Sequence, residues 1–209
     1  MSQFLETMPP LERHHAARVL ALCPTLSLHG GEALGPGAFP ESAYLVVEQG
    51  ILALASRSCW GRRVILAFAT EGSLLPPPKR DEILSAMTNS MLITVTPAAH
   101  RALLQHPLTA EEVVAQLLAA IGERQESLAQ FANVAHAERL REKLLQLARL
   151  HGTSVDGRVS IELPLTHELL GQAIGSARET VTISLRALEH EGFLVREGRS
   201  YVLMGAPEG

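Results

Sequence analysis

The sequence contains only two cysteines, and this scarcity limits the metal and redox chemistry available to it. Cys23 and Cys59 are the two among 209 residues. Two thiols cannot by themselves form a four-cysteine iron–sulfur cluster or a structural zinc site. In a cytosolic chain we expect both to be reduced and partly buried. Since no metal-ligand spacing occurs elsewhere either, we predict no metal site and no resident cofactor.

Long apolar runs are also missing, although 46% of the residues are hydrophobic. No stretch approaches the roughly 18–20 uninterrupted apolar residues that a membrane helix needs. Residues 1–10 lack the basic region and apolar run of a secretory signal. We therefore predict a cytoplasmic protein with no membrane partner.

The sequence has neither the motifs of an enzyme nor an excess of positive charge. No nucleophile with its base and no phosphate-binding glycine loop is present, so we predict that the chain is not an enzyme. The net charge is −4, and residues 138–209 contain nine Arg plus Lys against ten Asp plus Glu. Because phosphate neutralisation favours basic domains, any DNA binding must depend on a few well-placed cations.

Three regions differ in their residue patterns and predict three parts at 1–108, 109–136 and 137–209. After a short helix within residues 1–22, residues 25–97 form short apolar segments separated by glycines, a pattern typical of a β-sandwich or barrel-like roll. Two apolar runs around Gln49 and Gly50 predict a hairpin over residues 44–54. Residues 76–78 are three prolines, which we interpret as a stiff surface loop.

A seven-residue repeat in the second region predicts a helix that pairs with another copy of the chain. Val114, Ile121, Leu128 and Ala135 have this spacing, and a second set stands three places after the first three: Leu117, Arg124 and Phe131. So narrow a seam suits two parallel helices, whereas the alternative is an amphipathic helix packed on its own β domain. Thr109 with Glu112 predicts a capping box at the helix start. A buried, unpaired arginine is costly, so we expect Arg124 to reach solvent or to pair across the dimer.

Residues 164–203 carry the strongest signal and predict a winged helix-turn-helix. Thr166 can cap a first helix, and Gly175 suits the tight turn that follows. Ser176 and Glu179 predict a capping box for a second helix, whose apolar face consists of Val181, Leu185 and Leu188. Residues 193–203 then predict a small hairpin, the wing. Two capped helices about one turn apart form the helix-turn-helix layout, in which the second helix enters the major groove of double-stranded DNA.

The run from Leu165 to Val181, with its Ser-x-Arg-Glu-Thr-Val core and the wing behind it, resembles the cyclic-AMP receptor protein / fumarate-nitrate regulator (Crp/Fnr) family. The resemblance implies an α+β fold: an N-terminal cyclic-nucleotide-binding-like β-roll, a long dimerisation helix and a C-terminal winged helix-turn-helix. It also implies a homodimeric transcription regulator that contacts RNA polymerase.

The resemblance assigns roles to residues of the second and first motif helices. It implies that Arg178 and Glu179 contact bases. It also assigns a base-contacting position to Ile183, where the cyclic-AMP branch has a second arginine. It implies phosphate contacts by four more residues: Thr166, His167, Thr180 and Arg186. An exposed isoleucine can only touch a thymine methyl group or a sugar, so the DNA site should differ from that branch's full consensus.

The β-roll departs from the family where a cyclic nucleotide would bind. The Glu-Leu segment and short helix that hold ribose and phosphate are missing around the three prolines. Arg80 could stand in for the phosphate-binding arginine, but Asp81 and Glu82 beside it would repel a phosphate. We therefore expect cyclic AMP to bind weakly or not at all and leave any other effector unknown. The alternative is a β-roll that binds a protein partner, with DNA binding secondary.

Overall fold

A computed structural model describes residues 10–57, 63–129, 135–155, 157–198 and 200–204. The chain forms two compact units, one within Met1–Arg57 and Leu66–Glu126 and the other within Ser58–Ile65 and Ser127–Gly209. Most of the predicted dimerisation helix therefore belongs to the β-rich first unit. Helices and sheets both contribute, which confirms the expected α+β class.

The described residues contain six α-helices and twelve strands. The helices are α1 Pro10–Ala21, α2 Pro97–Leu103, α3 Pro107–Ala129, α4 His136–His151, α5 His167–Ile174 and α6 Arg178–His190. The strands of the first unit and its border are β1 Thr25–Leu28, β2 Ala33–Leu34, β3 Tyr44–Gln49, β4 Leu52–Arg57, β5 Arg63–Ala69, β6 Leu74–Leu75, β7 Glu82–Ala86 and β8 Ser90–Val95. Those of the second unit are β9 Gly152–Val155, β10 Arg158–Ile161, β11 Leu194–Glu197 and β12 Ser200–Met204.

The first eight strands form two four-stranded sheets, in the orders β1-β8-β3-β6 and β2-β7-β4-β5. The predicted hairpin over residues 44–54 is wrong, because β3 pairs with β8 and β6 while β4 pairs with β7. Gly50 has a φ of +92° between these strands, and a Cβ there would lie 2.3 Å from the Ser90 hydroxyl. The glycine break thus sends the chain from one sheet to the other.

The core of the first unit joins one sheet to the three helices of that unit. Its fully buried members include Tyr44 and Val95 from the strands, Ala16 from α1, Leu103 from α2 and Val113 from α3. Cys23 belongs to the same core as a free thiol, and burial raises its pKa. Cys59 lies outside the described residues.

Helix α3 begins two residues earlier than predicted, so the capping box at Thr109 is wrong. Ala110 N–H already donates to the His106 carbonyl, which places Thr109 inside the helix. Its backbone N–H and its hydroxyl both donate to the Glu12 carboxylate, at 2.8 and 2.9 Å. A carboxylate from α1 thereby takes the place of a local cap and fixes α1 to the start of α3.

Arg124 and the proline loop are held together inside the first unit. The Arg124 guanidinium donates to the Pro76 carbonyl at 3.1 Å and lies 3.6 Å from the Glu82 carboxylate. The same carboxylate accepts from the Lys79 N–H at 2.8 Å. The expectation that Arg124 reaches solvent or pairs across the dimer is therefore wrong. The loop is extended as predicted, but Pro78 is buried and the loop is not a mere surface connection.

In the second unit, α4 packs beneath α5, α6 and the four-stranded sheet β11-β12-β10-β9. Leu140, Leu144 and Leu147 of α4 are fully buried, as its amphipathic pattern indicates. Gly152 ends the helix as predicted, yet its φ is an ordinary −89°. A Cβ there would lie 2.2 Å from the Ala148 carbonyl oxygen, so close packing rather than a left-handed turn requires glycine.

The described residues were also searched for membrane spans and metal clusters. No helix among them is long and apolar enough to cross a membrane. Nor do three or more His, Cys, Asp or Glu side chains come together within the described ranges as a metal site.

Candidate nucleic-acid interface

The first motif helix, α5, starts and stops where local side-chain chemistry predicts. The Thr166 hydroxyl accepts a hydrogen bond from the Leu169 N–H at 3.1 Å, which is the expected N-terminal cap. Gly175 ends the helix in the left-handed region, with φ 64° and ψ 37°. Glycine adopts this conformation without steric cost, so the chain turns sharply towards the second helix.

A second glycine in this motif, which the sequence analysis did not single out, is needed for close approach. Gly171 is buried within α5, and the Ser176 N–H donates to its carbonyl at 2.8 Å. A Cβ on Gly171 would lie 2.8 Å from the Ser176 carbonyl oxygen. The turn therefore folds directly over this position, and a glycine in the middle of a predicted helix was the available signal.

The second motif helix, α6, has the predicted buried face but a different start. Ala177 is its N-terminal cap residue and makes no side-chain cap, so the capping box expected from Ser176 is wrong. Val181, Leu185 and Leu188 are buried as expected. Ser184 is buried beside them, which the apolar pattern did not indicate.

The opposite side of α6 presents the residues expected to contact DNA. Arg178 and Glu179 are exposed in its first turn, and Arg186 is exposed two turns further on. Ile183 is 69% exposed, an unusual position for so apolar a side chain. Thr180 is half-buried and is therefore less accessible than the others.

His167 connects the two motif helices and lies among positive charges. Its Nδ1 atom is 2.8 Å from the Thr182 hydroxyl oxygen on α6. Burial and the neighbouring guanidinium groups of Arg196, Arg178 and Arg186 lower the pKa of His167, while Glu189 opposes this shift. Arg196 comes from strand β11 of the wing, so wing and helix place their cations around the same imidazole.

Two arginines of α4 stabilise the motif by contacts at the ends of α5 and α6. Arg139 donates to the Ile174 carbonyl at 3.0 Å, at the end of α5. Arg141 pairs with Glu191 after α6 and lies over the Phe193 ring, 4.4 Å from its centroid. These contacts join residues far apart in sequence, so the charge-rich pattern of α4 indicated ion pairs without indicating their partners.

The predicted dimerisation residues divide between two faces of α3. Val114 and Ile121 are 49% and 41% exposed, and Leu118 between them is 63% exposed. Leu117 instead packs, half-buried, against the core of its own unit. The side chains of Leu128 and Phe131 lie outside the described residues.

The weak effector candidate in the first unit stands apart from the buried charges near it. Arg80 is exposed in the turn that follows the proline loop. The buried Arg124 and Glu82 pair with each other instead.

Comparison with known proteins identifies relatives of both the motif and the whole chain. A family model for a Crp-like helix-turn-helix domain matches residues 138–206. A CRP-like cAMP-activated global transcriptional regulator of Mycobacterium tuberculosis is 25% identical over 171 residues, in a match that covers 78% of this chain and 76% of the relative.

Two solved structures share the fold. A CooA mutant from Carboxydothermus hydrogenoformans superposes with a TM-score of 0.75 at 18% identity, covering 90% of this chain and 86% of that chain. A CRP/FNR-family transcriptional regulator from Thermus thermophilus superposes with a TM-score of 0.59 at 21% identity, covering 87% and 93%. The fold resemblance therefore extends over both units.

Proposed function

We propose that this chain is a transcription regulator of the Crp/Fnr type, since residues 138–206 match a Crp-like helix-turn-helix domain, and that it binds an inverted-repeat DNA site as a homodimer. The observation that carries the proposal is the first turn of α6. Arg178 and Glu179 are exposed there, while Val181 on the other face is fully buried. The N-terminal residues of a recognition helix are the ones that lead into the major groove.

The chemistry of these exposed side chains defines what each half-site contains. The Arg178 guanidinium can donate two hydrogen bonds to guanine O6 and N7, and the Glu179 carboxylate can accept one from cytosine N4. Ile183 offers only apolar contact, which suits a thymine methyl group. Each half-site therefore contains a G·C pair read by α6, with a thymine beside it.

The remaining polar residues around α6 contact the DNA backbone. Thr166 is exposed at the start of α5, and its hydroxyl can donate to a phosphate oxygen while it caps the helix. Arg186 is exposed on α6, and Thr180 is half-buried beside Arg178 and Glu179. These contacts fix the position of the protein on the duplex without selecting a sequence.

The homodimer forms along the exposed apolar row of α3, defined by Val114, Leu118 and Ile121. Their spacings of four and three residues are those of a coiled-coil seam. The row continues in sequence through Leu128, seven residues after Ile121. A two-fold dimer presents two copies of α6, so its DNA site is an inverted repeat with half-sites about one helical turn apart.

We infer that cyclic AMP is not the effector of this chain, although its mycobacterial relative is named a cAMP-activated regulator. Arg124 already binds the Glu82 carboxylate and the Pro76 carbonyl, so a phosphate would have to displace both. Glu82 is only 8% exposed, and its negative charge beside the loop opposes an anionic ligand. Titration calorimetry with cyclic AMP tests this proposal, and micromolar binding would contradict it.

We place the protein in the cytoplasm, where it contacts DNA and, as the family resemblance implies, RNA polymerase. The alternative, a β-roll that binds a protein partner, requires an apolar patch on the first unit away from the α3 row. Leu11 and Leu22 are 89% and 88% exposed on or next to α1. They lie about 16 Å apart at 1.5 Å per residue, too far to form one patch. Leu104 and Leu108, 37% and 47% exposed, add further apolar surface to this unit, so the preference for the regulator depends on the exposed first turn of α6.

Selection of binding sites from a random DNA pool tests the proposal. Arg178→Ala should weaken binding to the selected site by roughly 1–3 kcal/mol and relax the preference at one base pair per half-site. Thr166→Ala should weaken all sequences alike. Arg158, exposed on β10, provides a matched control: Arg158→Ala removes the same charge and should keep the preference. If Arg178→Ala also keeps it, α6 does not read bases as proposed.

A further inference from the structure

The hydrogen-bond chain around His167 restricts what this side chain can do at a DNA backbone. His167 is the first residue of α5 and is half-buried, with Nδ1 2.8 Å from the Thr182 hydroxyl oxygen. The Thr182 hydroxyl in turn donates to the Arg178 carbonyl oxygen, at 3.0 Å. The imidazole is thus tied to the backbone of the first turn of α6.

This chain decides which nitrogen of the neutral ring carries the hydrogen. A hydroxyl has one hydrogen, and we assign that of Thr182 to the Arg178 carbonyl oxygen, 3.0 Å away. Towards His167 the hydroxyl oxygen can therefore only accept, so Nδ1 must carry a hydrogen and donate it. In the neutral ring, Nε2 is then an acceptor.

A phosphate oxygen is also an acceptor, so neutral His167 cannot hydrogen-bond to a phosphate through Nε2. Protonation gives Nε2 a hydrogen and gives the ring a positive charge, while the bond from Nδ1 to Thr182 stays intact. A phosphate contact at this residue thus requires the cationic ring.

The charges that face His167 oppose that protonation until DNA arrives. Burial is the largest cause that lowers the pKa of the ring, and Arg196 on β11 with Arg178 and Arg186 on α6 lowers it further, whereas Glu189 on α6 raises it. A phosphate brought among three guanidinium groups compensates their charge and attracts a proton to the imidazole. Unbound protein therefore holds the ring neutral over a pH range in which the complex holds it charged.

We propose that His167 takes up one proton per half-site when the protein binds DNA, so that DNA affinity rises as the pH falls. This inference rests on the proposed function, because it needs a phosphate beside α5. By linkage, the logarithm of the association constant then changes with pH by up to one per half-site, which is up to tenfold per pH unit. The dependence is steepest above the lowered pKa of the free protein and disappears below it, where both states are protonated.

The test measures affinity for the selected inverted repeat between pH 5.5 and 8 at constant ionic strength. Binding enthalpies in two buffers of different ionisation enthalpy give the proton uptake independently. For the wild type we expect uptake approaching two protons per dimer. His167→Gln places a neutral donor at the position, so the two protons that His167 takes up per dimer should no longer be taken up.

Thr182→Val separates the tautomer argument from the mere presence of a histidine. Without the hydroxyl, the neutral ring can carry its hydrogen on Nε2 and donate to phosphate, so the uptake should fall although His167 remains. His190, exposed at the far end of α6, is the matched control, and His190→Gln should leave the uptake unchanged. Wild type and His167→Gln with equal uptake would overturn the proposal, and full uptake in Thr182→Val would overturn its tautomer basis. Absence of specific binding at every pH would contradict the proposed function itself.

Discussion

A charge placed in the exposed row of α3 should separate the two protomers without unfolding either of them. Leu118 is the most exposed member of the row, at 63%, and in a two-fold seam it would meet its own copy. Fully burying a leucine contributes about 1.5–3 kcal/mol, so the exposed part contributes roughly 1–2 kcal/mol per protomer. Leu118→Glu removes this contribution from both protomers.

The same substitution brings two carboxylates together and removes them from water, which costs several kcal/mol more. The dimer should therefore weaken by at least about 4 kcal/mol, which is roughly a thousandfold in the dissociation constant. Sedimentation equilibrium over a range of protein concentrations measures this constant. Circular dichroism on the same samples should report a folded chain.

Two further variants make the test specific to this face of the helix. Leu22→Glu changes a side chain that is 88% exposed and lies outside the row, so it should leave the dissociation constant unchanged. Leu117→Ala removes half-buried packing against the core and should lower the free energy of unfolding more than it weakens the dimer. If Leu118→Glu sediments with the wild-type dissociation constant, the α3 row is not the interface.

Two other substitutions test the turn and the half-buried histidine of the second unit. Gly171→Ala should lower the unfolding free energy by about 1–3 kcal/mol in chemical denaturation, since its Cβ would lie 2.8 Å from the Ser176 carbonyl oxygen; Gly37→Ala, where a Cβ meets nothing within 4 Å, should not. Burial lowers the pKa of His151 to about 4, and neither ring nitrogen has a hydrogen-bond partner among the described residues. The unfolded chain binds this proton near pH 6.5 and the folded chain does not, so stability is full above pH 6.5 and should fall by up to about 3 kcal/mol towards pH 4. His151→Phe should remove that part of the acid sensitivity, and an unchanged pH profile would contradict it.

The helix-turn-helix could be predicted from sequence because its signals are local. Thr166 caps a helix that begins at the next residue, and Gly175 turns the chain where only a few residues separate two periodic segments. The buried face of α6 follows from the 3.6-residue period alone. Each of these signals is decided by residues within one or two helical turns.

Apart from the capping box at Ser176, the misplaced features depend on distant partners. Strands β3 and β4 are adjacent in sequence, yet β3 pairs with β8, more than 40 residues further on, and β4 pairs with β7, 26 to 34 residues further on. Thr109 resembles a cap, but Glu12, 97 residues earlier, supplies the carboxylate that it meets. No local pattern contains that information.

The apolar repeat of α3 likewise does not show from sequence alone which of its positions face solvent. Val113 and Val114 are adjacent, and both are apolar, so two seams one residue apart are compatible with the sequence. Val113 is fully buried in the core of its own unit, while Val114 is 49% exposed. Leu118 rather than Leu117 therefore continues the exposed row, and a helix needs its packing partner before its free face can be identified.

The near-neutral charge of the DNA-binding unit makes the proton on His167 measurable through salt as well as pH. Each cation that neutralises a phosphate adds about 0.9 to the steepness with which log affinity falls against log salt concentration. One added cation per half-site should therefore steepen this dependence by roughly 1.8 for the dimer at low pH. In a strongly basic domain such an increment would be small beside many other contacts, but here Arg178, Arg186 and Arg196 are the cations that surround the site. Affinity measured at three salt concentrations, at pH 6 and at pH 8, should give two different slopes for the wild type and a single slope for His167→Gln. Equal slopes for the wild type at both pH values would mean that the proton taken up, if any, does not meet a phosphate.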